Sequence, residues 1–275
     1  MTLSTIRNNP AKQKKVKTKK QKAIAATCAV AFWLLVWHVV SLCVGSELVL
    51  VSPVKVVQTL FTVIFDPDFL KTVWYSAARI LGGFFTALTL GTVLGWVASR
   101  FWVVETLLRP ITAVIKATPV ASFIILVLLW FSGKNLSVII SMLMVFPVIY
   151  MNVLEGIRSA DEKLLEMAQV FRLSVGKKLL YIYLPAVAPF FVSACSVSLG
   201  LCWKSGIAAE VIGTPDGSIG AVFYQAKIFL QTSELLAWTV VVVAVSVAFE
   251  KLFMFLLRLV LKELKMEDVL NGKRA

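Results

Sequence analysis

The feature that most constrains this chain is a set of apolar runs, most of them long enough to cross a lipid bilayer. The first covers residues 23–44, which are 22 positions without Asp, Glu, Lys or Arg. At 1.5 Å of rise per residue a helix there spans about 33 Å, the thickness of a hydrocarbon core. Further runs predict helices near 74–98, 119–131, 136–154, 182–209 and 236–261. The third is short and extends back toward Ile111, with Lys116 reaching the interface along its alkyl stem. The fold expected is an all-α integral membrane protein with about six transmembrane helices. Composition agrees: 59% of residues are hydrophobic and 16% charged, whereas soluble domains carry about 25% charged residues. That argues against a soluble enzyme, and the apolar content excludes disorder.

The net charge of +13 is not spread as a nucleic-acid-binding face would be. Eight basic residues precede position 23, and no acidic residue precedes Glu47. A basic tail before an apolar run is an orientation signal. The run is longer than the apolar core of a cleavable signal peptide, about 7–15 residues, so it reads as a retained helix. With the amino terminus in the cytosol, 21 of the 28 Lys and Arg residues fall on the cytosolic side and 5 outside. Six spans with both termini cytosolic satisfy this bias.

The organisation expected is a basic cytosolic tail (1–22), a first span (23–44) and an external segment (45–73). That segment carries an interfacial helix over 52–65, ended by Asp66-Pro-Asp68. A core of five spans follows (74–265), with a cytosolic loop at 155–181, and then a second tail (266–275). In the second span Gly83, Ala87, Gly91, Gly95 and Ser99 recur every four residues, a stripe that lets another helix approach closely in lipid. Pro185 and Pro189 open the fifth span and predict a bent or broken helix. Cys28, Cys43, Cys195 and Cys202 lack metal-ligand spacing and read as small hydrophobes within helices. His38 reads as a structural residue.

The loop at 155–181 contains an amphipathic stretch capped by Asp161. Leu164, Leu165, Ala168 and Phe171 are assigned to one helical face. Periodicity alone leaves two readings: a helix lying on the inner leaflet, or a docking helix that enters a partner's groove.

A resemblance adds to this. Glu166-Met-Ala, Arg172 and Ile182-Tyr-Leu-Pro185 resemble the "EAA" loop of bacterial ABC-importer permeases, with Pro185 at the expected distance. Met167 stands where that pattern has alanine, and Arg172 where it has glycine, which questions a tight turn needing positive φ. Leu50-Val-Ser-Pro53, Ser76-Ala-Ala-Arg79, Thr118-Pro119 through Trp130-Phe131, Ala209-Glu210 and Gly217-Ser-Ile-Gly220 are similar to segments of the nitrate/sulfonate/taurine-type branch. The likeness covers roughly residues 50 to 265.

The resemblance implies a type I, MetI-like permease subunit in the bacterial inner membrane. It would carry a small anion, or a pyrimidine or vitamin precursor, by alternating access. Implied partners are cytosolic ATPase subunits, which would hold ATP and Mg, an extracytoplasmic binding protein, and a second permease copy in a homodimer surrounded by lipid. The chain itself shows no GxxxxGK[ST] phosphate loop, so no cofactor and no catalytic role are expected of it. Asp161, Leu164, Leu165, Glu166, Ala168, Phe171, Arg172 and Pro185 would couple to the ATPase. Ser193, Ser196, Gly200, Lys204 and Glu210 are expected along the translocation path, with Arg79 as a candidate partner for Glu210. The rivals are the transmembrane component of an energy-coupling-factor vitamin transporter, and a channel or carrier not driven by ATP.

Overall fold

A computed structural model describes residues 19–264. Most of the expected basic tail and the segment 266–275 lie outside the described residues. The chain divides into two compact units, 1–55 and 56–275. In the first, α1 (Lys19–Val44) ends where Gly45 turns to a positive φ of 64°. Cys28 and Cys43 lie exposed on α1, so their place is not a packed interior. Beyond it, the Lys55 ammonium pairs with Glu47.

The second unit is built on three long helices. They are α3 (Phe69–Arg100), α6 (Gly133–Arg158) and α9 (Leu184–Gly213). Helix α3 starts five residues before the expected 74, because Asp66-Pro-Asp68 ends α2 (Pro53–Ile64) and the chain re-enters a helix at once. Helix α6 lies between the other two and packs along both. The alternation of small residues explains why. A Cβ on Gly83 would strike the Val138 carbonyl and come within 2.8 Å of Ser141 Cβ. At Gly91 it would meet Ile149 Cβ at 2.9 Å, and at Gly95 the Tyr150 carbonyl at 3.0 Å. Ala87 is buried on the same stripe. On α9, a Cβ at Gly206 would lie 2.7 Å from Ser141 Oγ. Between these backbones sit Ile80, Phe84, Val145, Ile149, Cys195, Leu199, Cys202 and Trp203.

The third expected span is not one straight helix. α4 (Trp102–Ala117) and α5 (Val120–Leu128) meet at 106°. Pro119 is the cause: the residue before a proline is pushed out of the α region, and Thr118 is extended at φ −81°, ψ 133°. The fifth span departs from expectation the other way, for it is continuous. α8 (Val175–Lys178) runs through a π-helical turn at Leu179–Tyr183 into α9, giving 39 helical residues from Val175 to Gly213. Pro185 has no N–H to give to Tyr181, and the Leu184 N–H instead reaches back five residues to the Leu179 carbonyl. The helix widens by one residue instead of breaking, and it passes Pro189 intact.

Two further helices follow α9. α10 (Ile219–Ile228) is N-capped by Ser218, whose hydroxyl accepts from the Ala221 N–H at 3.0 Å. α11 (Thr232–Glu263) buries Ala237, Trp238 and Val241 against Val63 and Ile219. Among the described residues, five helices are long and apolar enough to cross a membrane, or six with the bent pair as one crossing.

The stripe and its neighbour make a direct test. Gly83→Val should destabilise the purified protein by about 1–3 kcal/mol through overpacking, seen as a lower melting temperature in detergent. Gly82→Val, where nothing lies within 4 Å of a Cβ, should leave it unchanged.

Candidate functional site

The loop between α6 and α9 is an ordered elbow. Its main element is α7 (Glu162–Val170). The Asp161 carboxylate accepts from the Lys163 N–H at 2.9 Å and caps the helix. Its far end closes with the Leu173 N–H on the Ala168 carbonyl at 2.9 Å. Arg172 sits at that turn with φ 49°. The turn thus keeps the left-handed geometry with a residue that adopts it at a cost of roughly 1–2 kcal/mol.

The apolar residues of α7 divide between two faces. Ala168 is fully buried among Ala160, Ile182, Leu165, Leu173, Tyr183 and Ala186. Leu165 and Ala168 therefore anchor the helix to the start of α9, and the expectation that they share an outward face with Leu164 and Phe171 is corrected. The outward face holds Leu164, Met167 and Phe171, with Val170 and Val175 beside them; Phe171 is 72% exposed and Met167 46%. These three lie at i, i+3 and i+7, one tight stripe. The buried pair lies about 100° away around the helix. Met167 was missed because a nine-residue helix with two adjacent apolar stripes offers no period that says which one faces inward. Glu166 is exposed about 100° around the helix from Met167, and Pro185 is half-buried just past the π-turn. At the end of α6, the Arg158 guanidinium reaches Glu105 of α4 at 2.5 Å, which ties α4 to the same end of the unit.

The second constellation surrounds Glu210, which is fully buried. Its Oε2 accepts from the Ser76 hydroxyl at 2.6 Å and from the Gly220 N–H at 3.3 Å. Ser76 Oγ in turn accepts from the Ile219 N–H at 2.9 Å. The carboxylate thus sits at the N-terminus of α10, where free N–H groups and the helix dipole favour negative charge. Gly220 is required by the contact, because a Cβ there would overlap Glu210 itself. Ser137 of α6 is buried beside the carboxylate. One side chain therefore joins α3, α9 and α10. The expected pairing with Arg79 is not made: the Arg79 guanidinium lies 4.4 Å over the Tyr75 ring, and it is Ser76 on the neighbouring face that meets Glu210.

The other residues expected on the path separate. Ser193 and Lys204 are exposed, and open space surrounds Gly200. Ser196 turns toward α11, donating to Glu250 Oε1 at 3.1 Å. Ser193, Gly200 and Lys204 thus remain on the open side of α9, with exposed Val197 between them.

Two substitutions read these geometries. Ser76→Ala removes a donor from Glu210 and an acceptor from Ile219, and should cost about 1–3 kcal/mol of stability in a melting experiment. Arg172→Gly should raise stability by about 1 kcal/mol, since glycine adopts positive φ without strain; a lower melting temperature would contradict the strained turn.

Comparison with known proteins completes the picture. Residues 87–265 match the family described as the binding-protein-dependent transport system inner membrane component. A Bacillus subtilis protein provisionally named aliphatic sulfonates transport permease SsuC is 29% identical over 78% of each chain. The taurine transport system permease protein TauC of Escherichia coli is 27% identical over 78% of this chain and 80% of its own. The nitrate import permease protein NrtB of a Synechocystis strain is 25% identical over 74% of this chain and 76% of its own.

Proposed function

For a chain that belongs to the family of inner membrane components of binding-protein-dependent transport systems, we propose the role of permease subunit in an ATP-driven importer of a small anion. The relatives are named for sulfonates, taurine and nitrate, cargoes that share a compact oxyanion group. The rival readings, a vitamin-type component and an uncoupled channel, find no support among these relatives. In this reading both termini and the α7 elbow face the cytosol, as the distribution of Lys and Arg favours. Two copies pair in the membrane, and an extracytoplasmic binding protein delivers cargo to them. Two cytosolic ATPase subunits bind ATP and Mg and supply the work.

The observation that carries the proposal is the elbow: an exposed apolar stripe held rigidly by a buried one. Leu164, Met167 and Phe171 enter a groove on the ATPase, and exposed Glu166 takes a donor at its edge. Each such side chain stabilises the contact by about 1.5–3 kcal/mol when fully buried, before ordering costs. Exposed ion pairs would contribute only about 0–1 kcal/mol each. Motion of the groove then passes to Ala168 and Ile182, and so into α9. Because α9, α6 and α3 pack backbone to backbone, they move as one body. The bend at Thr118–Pro119 leaves α4 and α5 as separate arms, so the pathway changes its opening there and along the open side of α9. ATP binding selects one of two arrangements, which is alternating access.

The test separates the two stripes. Met167→Ala and Phe171→Ala should leave the melting temperature unchanged and weaken capture of the ATPase by about tenfold or more, with uptake falling in parallel. Ala168→Leu should instead disturb folding. Full ATPase capture and uptake in both outward variants would refute the coupling role.

A further inference from the structure

A second polar group lies within the last helix, away from the elbow and from the Glu210 cluster. A cleft of about 290 Å³ is lined by Ser196 of α9 and by Glu250, Lys251, Met254, Phe255 and Arg258 of α11. Charged side chains inside a membrane span are costly and mark a partner or a function. Among the described residues, no ion pair within 4.0 Å includes Lys251 or Arg258. Glu250 lines the same cleft without pairing with either, and its Oε1 accepts from the Ser196 hydroxyl.

Position and spacing point to the occupant. Lys251 and Arg258 are seven residues apart, two helical turns, so they share a face and stand about 10 Å apart along the axis. Under the topology of the proposed function, on which this inference rests, α11 runs toward the cytosol. Arg258 then lies at the inner headgroup level, and Lys251 lies deeper and bends its stem toward it. The surfaces around them are apolar: Leu252, Phe255, Leu256 and Leu259 are all exposed. A binding site that is cationic at the interface and apolar above it complements an anionic lipid, and basic pockets between helices on the cytoplasmic side bind such headgroups.

We propose that the α9–α11 cleft holds the headgroup of an anionic phospholipid, its phosphodiester between Lys251 and Arg258 and its acyl chains along Leu252 and Phe255. Two cations and one carboxylate leave a single positive charge, which matches a phosphodiester. The Glu250 carboxylate accepts a headgroup hydroxyl, which phosphatidylglycerol offers.

The full chain in detergent is titrated with phosphatidylglycerol, phosphatidylserine and phosphatidylcholine, and retained lipid is counted by native mass spectrometry. Phosphatidylglycerol should be retained about tenfold more strongly than phosphatidylcholine. Lys251→Gln with Arg258→Gln should abolish that preference, whereas Lys251→Arg should keep it and Lys116→Gln should not touch it. Melting curves for each variant identify any loss that reflects unfolding, and if the double variant unfolds, the single Lys251→Gln and Arg258→Gln substitutions replace it, each expected to lower the preference severalfold. Glycerol 3-phosphate should not compete; competition would mean a site for free phosphates and would overturn the lipid assignment. Equal retention of the three lipids would also overturn it, as would a cysteine at Lys251 that crosslinks to a second copy and excludes lipid. Thiol labelling of an Asn271→Cys variant that lacks the four native cysteines, in intact cells, reports the topology separately, so a wrong orientation is distinguished from an empty cleft.

Discussion

The close approach of three backbones is the constraint on which the rest of this structure depends. In hydrocarbon, lipid tails are as apolar as leucine, so burying apolar side chains gives helices little reason to associate. What remains is dispersion between surfaces that fit, and this grows only when backbones come near. Gly83, Gly91 and Gly95 on α3 and Gly206 on α9 remove the atoms that would hold them away from α6. Contact at this density has few neighbouring arrangements of similar energy. The α3–α6–α9 core is therefore a stiff block, and adjustable geometry is left to the joints around it.

The Glu210 cluster uses the same closeness for a polar purpose. A buried carboxylate is tolerated only if donors replace the water it has lost. Here the donors are the Ser76 hydroxyl and the Gly220 N–H, at a helix start that itself needs an acceptor. At Oε2 each group resolves the other's deficit, and the contact exists only because Gly220 has no side chain; Oε1 is buried without a hydrogen-bond partner. The result secures α10 to the end of α9 and to α3, so a short helix that could not cross a membrane is held firmly in place.

The elbow converts that stiffness into a means of transmission. A docking helix on a loose loop would dissipate a partner's motion in loop rearrangement. Ala168, buried against Ile182, joins α7 to the first turns of α9, and the π-turn before Pro185 keeps the connection helical. Arg172 in the left-handed turn shows that the geometry survives without the residue best suited to it, since neighbouring contacts hold the turn closed.

Length and hydropathy of the runs were enough to determine an all-α membrane protein, because a bilayer admits few other solutions for the backbone. Asp161 was legible as a cap, and the four-residue spacing on α3 as a packing stripe, since both follow from local geometry. The family likeness also lay in linear motifs. Three things were decided by tertiary structure alone. Which apolar stripe of α7 faces inward depends on Ile182 and Ala160, neither of which belongs to the helix whose period is being read. The partner of Glu210 is Ser76 and not Arg79, because pairing depends on which face of α3 meets α9, and charge in the sequence carries no direction. The proline at 119 sharply bends its span, because it pushes Thr118 out of the α region, whereas the span holding Pro185 stays continuous, because the π-turn before it takes up the missing hydrogen bond.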